Sequence, residues 1–272
     1  MRKRGGYLSF LGLILLIFFG SCSKFRKVQK SEDWKVKYDA AVTYYKDEDY
    51  FRASILFEEI MPLVRGQKEG ELVQFYYSYC NYYQKHYQLA EYYFKTFYQT
   101  YSRSPYAEEA EFMHAYSLYR DSPIFNLDQT STKEAIEAMQ FFINRNPNSI
   151  YLGESSAIIQ EMQIKLETKA YQNSKQYFKM GLYKSSIIAF ENFAIDFPDS
   201  DFNDEISFLK FKSQYLLAQL SIPSKKDERL KKAIEIYQEF LEDYPESEYL
   251  KEADKLYDNS VSAMGKNKRV NP

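Results

Sequence analysis

Glycine is scarce in this chain: there are 9 in 272 residues, against 27 tyrosines and 21 phenylalanines. An all-β fold needs many more turn glycines, so the composition points to helix. Histidine is nearly missing as well. His86 and His114 are 28 residues apart, and neither has a second His, Cys or carboxylate at metal-ligand spacing. His86 reads as a solvated turn residue and His114 as a structural one, because nucleophilic catalysis needs partners that are not there. There is no Gly-rich phosphate loop, no GxSxG elbow and no HExxH motif. The carboxylate pairs Glu58-Glu59 and Glu108-Glu109 are adjacent, so on a helix they point about 100° apart and read as solvated faces. These gaps predict a protein that is not an enzyme and holds no metal or cofactor. Basic excess is lacking too. A net charge of −2 leaves no surplus to displace counterions, which excludes a dedicated nucleic-acid partner.

Cysteine is limited to Cys22 and Cys80, and they have different settings. Arg2, Lys3 and Arg4 open a basic stretch, and Leu8–Phe19 is almost wholly apolar. That run of about 12 residues is short of the roughly 20 a membrane-spanning helix needs. Gly20 and Ser21 then lead into Cys22, an arrangement that resembles the lipobox of bacterial lipoproteins, with Phe19 where most carry Leu. The reading is an export signal over 1–21, lipid attachment at Cys22, and a polar, basic tether over 22–33. An ordinary secretory peptide with an incidental Cys is the alternative. Removal of the signal takes the net charge to −5. Cys80, within YYSYCNYY, is then the sole thiol and reads as buried filler.

Self-similarity organises the rest. In YFRASILFEEIMP, Tyr50, Ala53, Phe57 and Ile60 fall at steps of three, four and three, sharing one helical face. Tyr87, Ala90, Phe94 and Phe97 repeat the pattern, as do Ala135, Met139 and Phe142, then Ser186, Phe190 and Phe193, then Ala233, Tyr237 and Phe240. Anchored on the small residue, the copies are 37, 45, 51 and 47 apart. Each follows a second apolar-periodic run: Trp34–Asp47, Glu71–Lys85, Tyr106–Arg120, Tyr151–Met180 and Asn203–Ser221. Pro147, Pro198 and Pro245 stop the later copies, since proline has no N–H and its ring clashes one turn back.

Helix, turn, helix, then an aromatic-Pro-x-Ser stop is the tetratricopeptide pattern, whose usual period is about 34 residues. The longer spacings are assigned to an inserted loop at Asp121–Thr132 with Thr132 as a helix cap, a single long helix over Tyr151–Met180, and a linker at Ile222–Lys226. The fold expected is all-α: a tetratricopeptide-like helical-repeat superhelix of about five helix pairs plus a capping helix at Ser247–Met264. N-terminal repeats one to three occupy 34–148. C-terminal repeats four and five with the cap occupy 149–265, followed by a flexible tail over 266–272.

In stacked helix pairs the first helices line an extended groove. Here they are crowded with tyrosine, which joins a large apolar ring to a hydrogen-bonding tip. By register, Tyr38, Tyr45, Phe75, Tyr79, Tyr82 and Tyr83 are the groove candidates, and an extended peptide with aromatic side chains would suit them. About half of the tyrosines in the first helices should instead be core.

SPYAEEAEFMHAYSLY (Ser104–Tyr119), followed by LDQTSTKEAIEAMQFFINRNPNS (Leu127–Ser149), resembles the BamD family. Its members are lipoproteins of the outer-membrane β-barrel assembly machine. The resemblance implies an outer-membrane protein, lipid-anchored and facing the periplasm. It implies docking onto the POTRA domains of a BamA-like β-barrel subunit through repeats four and five. It also implies binding of unfolded outer-membrane proteins, with repeats one and two reading their terminal aromatic segment. A different class, a lipid-anchored binder of glycan or peptidoglycan, would need an exposed aromatic platform flanked by Asp, Asn or Arg.

Overall fold

The computed structural model describes residues 24–270, so the export signal and Cys22 lie outside the described residues. Every regular element among them is helical. A short helix α1 (24–29) is followed by α2 (Trp34–Lys46), α3 (Tyr50–Ile60), α4 (Lys68–Tyr83), α5 (Tyr87–Thr100), α6 (Ala107–Asp121) and α7 (Thr130–Arg145). Then come α8 (Leu152–Lys179), α9 (Tyr183–Asp196), α10 (Asn203–Gln219), α11 (Pro223–Asp243) and α12 (Leu250–Val270). Two compact units divide within α8, at Met162 and Gln163. In the first, each helix from α2 to α7 packs on the next; in the second, α9 to α12 do so. This is an all-α helical repeat.

The repeat register explains the cores. Ala53, Ala90, Ala135, Ser186 and Ala233 are all fully buried, at 0 % exposure. Small side chains there let two helix backbones approach closely. Four residues on, Phe57, Phe94, Met139, Phe190 and Tyr237 are buried, and three further on so are Ile60, Phe97, Phe142, Phe193 and Phe240.

Two kinds of turn connect the helices. Inside three of the pairs the first helix ends on a residue with positive φ: Glu48 (60°), Lys85 (63°) and Gly181 (73°). In each, two backbone bonds close back onto the helix, as Lys85 N–H to Tyr82 O at 2.9 Å and His86 N–H to Asn81 O at 2.9 Å. This is the left-handed helix stop that usually employs glycine. Only one of the three does.

After the second pair and each later one, a serine runs the turn. The Ser104, Ser149, Ser200 and Ser247 hydroxyls accept the N–H two residues on, at 3.0, 3.1, 3.1 and 3.1 Å. Three of them also donate to a carboxylate in the first turns of the preceding first helix: Ser104 to Glu71, Ser149 to Glu108 and Ser247 to Asp204. The aromatic that follows lies on an aromatic of that same helix. Tyr106 meets Phe75 at 4.7 Å, Tyr151 stacks on Phe112 at 4.3 Å, Phe202 on Tyr171 at 4.0 Å and Tyr249 on Phe208 at 5.0 Å. At Ser104, Ser149 and Ser247 the turn is therefore joined to the preceding first helix by one polar tie and one ring contact, and at Ser200 by the ring stack alone.

Some local expectations change. Thr132 is not the cap of α7; the helix starts at Thr130, after Gln129. Gln129 is buried, and its amide gathers the carbonyls of Ile124 and Leu127 at 2.9 and 3.0 Å while its oxygen accepts the Thr132 hydroxyl at 2.7 Å. Most of the linker expected at Ile222–Lys226 is helix, because Pro223 takes the first position of α11, where its fixed φ fits and no N–H is needed. In the stretch read as a tether, 24–29 is helical, and Phe25 and Val28 pack against the first core. Helix α12 runs on to Val270.

Candidate protein-binding surface

The first-helix side of the first unit carries connected tyrosine rings. Tyr83, at the end of α4, is 46 % exposed and stacks on Tyr50 of α3 at 4.4 Å and 21°. It also stacks on Tyr79 one turn back, at 5.7 Å. Tyr45 joins through Tyr50 at 5.6 Å and Tyr76 at 4.6 Å. Towards the third pair, Tyr82 meets Tyr87 at 5.7 Å and Tyr116 at 6.0 Å, and Tyr116 meets Tyr119 at 5.5 Å. The helical step explains the continuity: Tyr79, Tyr82 and Tyr83 are three and four apart, so they share a face.

One cation sits in this surface. The Arg120 guanidinium lies over the Tyr87 ring at 5.5 Å and reaches the Tyr82 and Tyr87 hydroxyls at 3.5 and 3.3 Å. A guanidinium on a ring face keeps its charge and adds a planar donor. Burial pushes the Tyr82 phenol up to about 12, with Arg120 pulling the other way. Tyr45 and Tyr79 are pushed further up by burial, Tyr79 also by its hydrogen bond to Glu109. All three phenols are therefore neutral at physiological pH, offering apolar rings with hydroxyl edges.

Of the six groove candidates, the structure brings Tyr45, Tyr79, Tyr82 and Tyr83 into this surface. Tyr38 is half-buried against the first core. Phe75 is 5 % exposed and packs among Phe94, Phe97 and Tyr106, so it holds the repeats together and lines no groove. Of the eight tyrosines in α2 and α4, only Tyr77 is fully core. The rest are half-buried or exposed. Tyr50, Tyr87, Tyr116, Tyr119 and Arg120 were missed. Tyr50 and Tyr87 stand three residues before the small anchors Ala53 and Ala90, a position the repeat pattern assigns to stacking alone.

Of the other singled-out residues, His114 and Cys80 are buried and His86 is not. His114 is buried, with Nδ1 3.1 Å from the Glu91 carbonyl and 3.0 Å from its carboxylate. His86 is exposed at the start of α5. The Cys80 side chain is fully buried, and burial pushes its thiol up to about 12. Among the described residues no group of three or more His, Cys, Asp or Glu could hold a metal ion. Two clefts of the first unit are lined by residues outside this surface. One of 490 Å³ lies between Glu91, His114 and Phe141. One of 570 Å³ is bounded by Arg65, Gln74, Tyr92 and Thr100.

Comparison with protein families gives two matches. The YfiO family, described as outer membrane lipoprotein, matches residues 30–205, more than half of the chain, and the tetratricopeptide repeat family matches 213–247. No curated protein matches the chain. No helix among the described residues is long and apolar enough to cross a membrane.

Proposed function

We propose that this chain, which belongs to the YfiO family of outer membrane lipoproteins, is a lipid-anchored scaffold for assembling outer-membrane β-barrels, as its BamD-like text implies. In this reading Cys22 carries the lipid and the repeats face the periplasm. The first two repeats hold the terminal aromatic segment of an unfolded outer-membrane protein. Repeats four and five dock the POTRA domains of a BamA-like barrel subunit, and there Leu220 and Ile222 offer apolar anchors at 76 % and 62 % exposure.

The observation that carries the reading is the connected tyrosine surface from Tyr45 to Tyr119, with Arg120 set in it. Neutral phenols on rigid helices give contact area at low entropic cost. Their hydroxyls can pair with the unsatisfied backbone groups of an unfolded strand. A photocrosslinker at Tyr83 should capture the C-terminal segment of a client, while one at Leu63, exposed beyond the end of α3, should not. Equal capture from both sites would remove the client role from this face. Recovery of the barrel subunit with the purified lipoprotein tests the second contact.

A glycan-binding reading has one observation in its favour. Tyr92 is 56 % exposed beside the 570 Å³ cleft, with Arg65, Gln74 and Thr100 in reach. Retention on a peptidoglycan column that is lost with Tyr92→Ala would support it. Failure to bind the column rejects it.

A further inference from the structure

The turns inside the helix pairs of the first unit lie at one end of it. Gln84, closing α4, donates its amide to the carbonyl of Tyr50, which opens α3, at 3.2 Å. Gln88, opening α5, donates to Asp121 at the end of α6, at 3.4 Å. The described chain also begins at this end. Phe25 of α1 meets the Tyr44 ring, near the end of α2, edge-on at 5.8 Å, and Arg52 of α3 covers Phe25 at 5.9 Å. The opposite end is marked by Trp34, at the start of α2, and by the ion pair that joins Lys37 to Glu59 near the end of α3.

The end where the chain begins displays large apolar side chains. Phe51 is 65 % exposed and Leu89 48 %, and the α6–α7 loop presents Ile124, Phe125 and Leu127 at 65 %, 38 % and 53 %. That loop is built, not slack. Buried Gln129 ties its carbonyls, Leu127 N–H bonds to Ile124 O at 3.1 Å, and Ser122 and Thr132 join their hydroxyls at 2.6 Å. Leaving so much of three such side chains in water is unfavourable. Fixing their backbone in advance lowers the cost of burying them against something else. Charges at this end are mixed, Lys24, Arg26, Lys27, Lys46, Arg52, Lys85 and Arg120 standing with Asp47, Glu48, Asp49, Asp121 and Asp128. The α6–α7 loop itself carries no cation, so its own contact would depend on apolar area and not on lipid charge.

We infer that this end faces the bilayer, and that Ile124, Phe125 and Leu127 enter the boundary between headgroups and acyl chains. The inference rests on the lipid-anchor reading of Cys22, two positions before Lys24 in the sequence. An acyl anchor alone tethers a protein without orienting it. A second apolar contact at the same end sets which side of the first unit meets the membrane and which side stays open to solvent.

Full-length lipidated protein in phosphatidylethanolamine–phosphatidylglycerol vesicles with brominated acyl chains tests this. Trp34, the sole tryptophan, is the built-in control at the far end. The indole introduced by Ile124→Trp in a Trp34→Phe background should lose about half of its emission, and Trp34 in the unaltered chain less than about a tenth, since interfacial contacts reach only about 5–10 Å deep. Raising salt should leave the difference in place. Equal quenching at the two positions overturns the inference. Mass spectrometry of the N-terminal peptide judges the anchor separately. An unacylated Cys22 sinks the anchor reading, while an acylated Cys22 with an unquenched indole sinks the loop contact alone.

Discussion

Ser186 is the one small anchor that is not alanine, and it makes a sharp test of how the repeats pack. Its Oγ lies 2.9 Å from the Tyr183 carbonyl and 2.9 Å from Ser213 Oγ on α10, and both serines are fully buried. One hydroxyl proton cannot serve both acceptors. The consistent arrangement has Ser186 donating to the Tyr183 carbonyl while Ser213 donates to Ser186. Ser186→Ala then removes both bonds and leaves the Ser213 hydroxyl buried without its acceptor, at a cost of about 1–3 kcal/mol. Ser213→Ala removes a bond but leaves Ser186 paired, costing about 0.5–1.5 kcal/mol. The double replacement leaves no unpaired hydroxyl and restores the Ala anchor of the other copies. Its cost should fall below about 1 kcal/mol, less than the sum of the singles.

Urea unfolding of the four proteins, with the denaturant slope unchanged, reads these differences directly. The expected order of destabilisation is Ser186→Ala, then Ser213→Ala, then the double. Additivity to within about 0.5 kcal/mol would refute the reasoning, because it would mean that the two hydroxyls do not depend on each other.

Three further outcomes are expected. Gly181→Ala should cost about 1 kcal/mol from backbone strain alone, since φ is 73° and an added methyl would meet nothing within 4 Å; a thermal melt checks it, and no cost would mean that the turn adjusts freely. Cys80 should resist a thiol alkylating reagent at mildly alkaline pH in the folded protein and react once it is unfolded, because the side chain is buried and its thiol is pushed up to about 12. Burial alone would raise the Glu59 carboxyl, but hydrogen bonds from Lys37 and Gln29 hold it below its ordinary value. A carboxyl lowered in the folded state adds stability above its unfolded value, and that stability is lost as pH falls through the folded one. Lys37→Met should therefore flatten the acid side of the stability curve below the ordinary glutamate value of about 4.3, as followed by urea midpoints across that range.

The helix pairs were legible because their signal is periodic and redundant. Every small anchor and every large residue four and seven positions later is buried as the spacing requires. The turns were less legible. Glu48 and Lys85 adopt the left-handed conformation without glycine, so no residue type marks them. The start of α7 depends on Gln129, whose buried amide satisfies carbonyls that a sequence pattern cannot see. The tyrosine surface was half legible. A helical face can be read from spacing, which found Tyr79, Tyr82 and Tyr83, but a surface that crosses from α4 to α3 and α6 needs coordinates. Phe75 shares the face of Tyr79 by spacing, yet the ring of Tyr106, arriving from the next turn, covers it.

The pair Glu108-Glu109 shows how scaffold and binding surface are joined. Two neighbours on a helix point about 100° apart, which rules them out as a cooperating acid and base but suits them to hold two different partners. Glu108 accepts the Ser149 hydroxyl from the following turn at 2.6 Å, and Glu109 accepts the Tyr79 hydroxyl from the preceding first helix. Neutralising them should therefore have separate consequences. Glu108→Leu loses the tie to Ser149 and should cost about 0.5–1.5 kcal/mol of stability, leaving client capture from Tyr83 unchanged. Glu109→Leu strips a half-buried phenol of its acceptor and frees the ring stacked against Tyr83. Client capture from Tyr83 should then fall even in preparations that remain folded by circular dichroism. If both substitutions weaken capture equally at matched stability, Tyr79 is not held for binding, and its bond to Glu109 belongs to the scaffold alone.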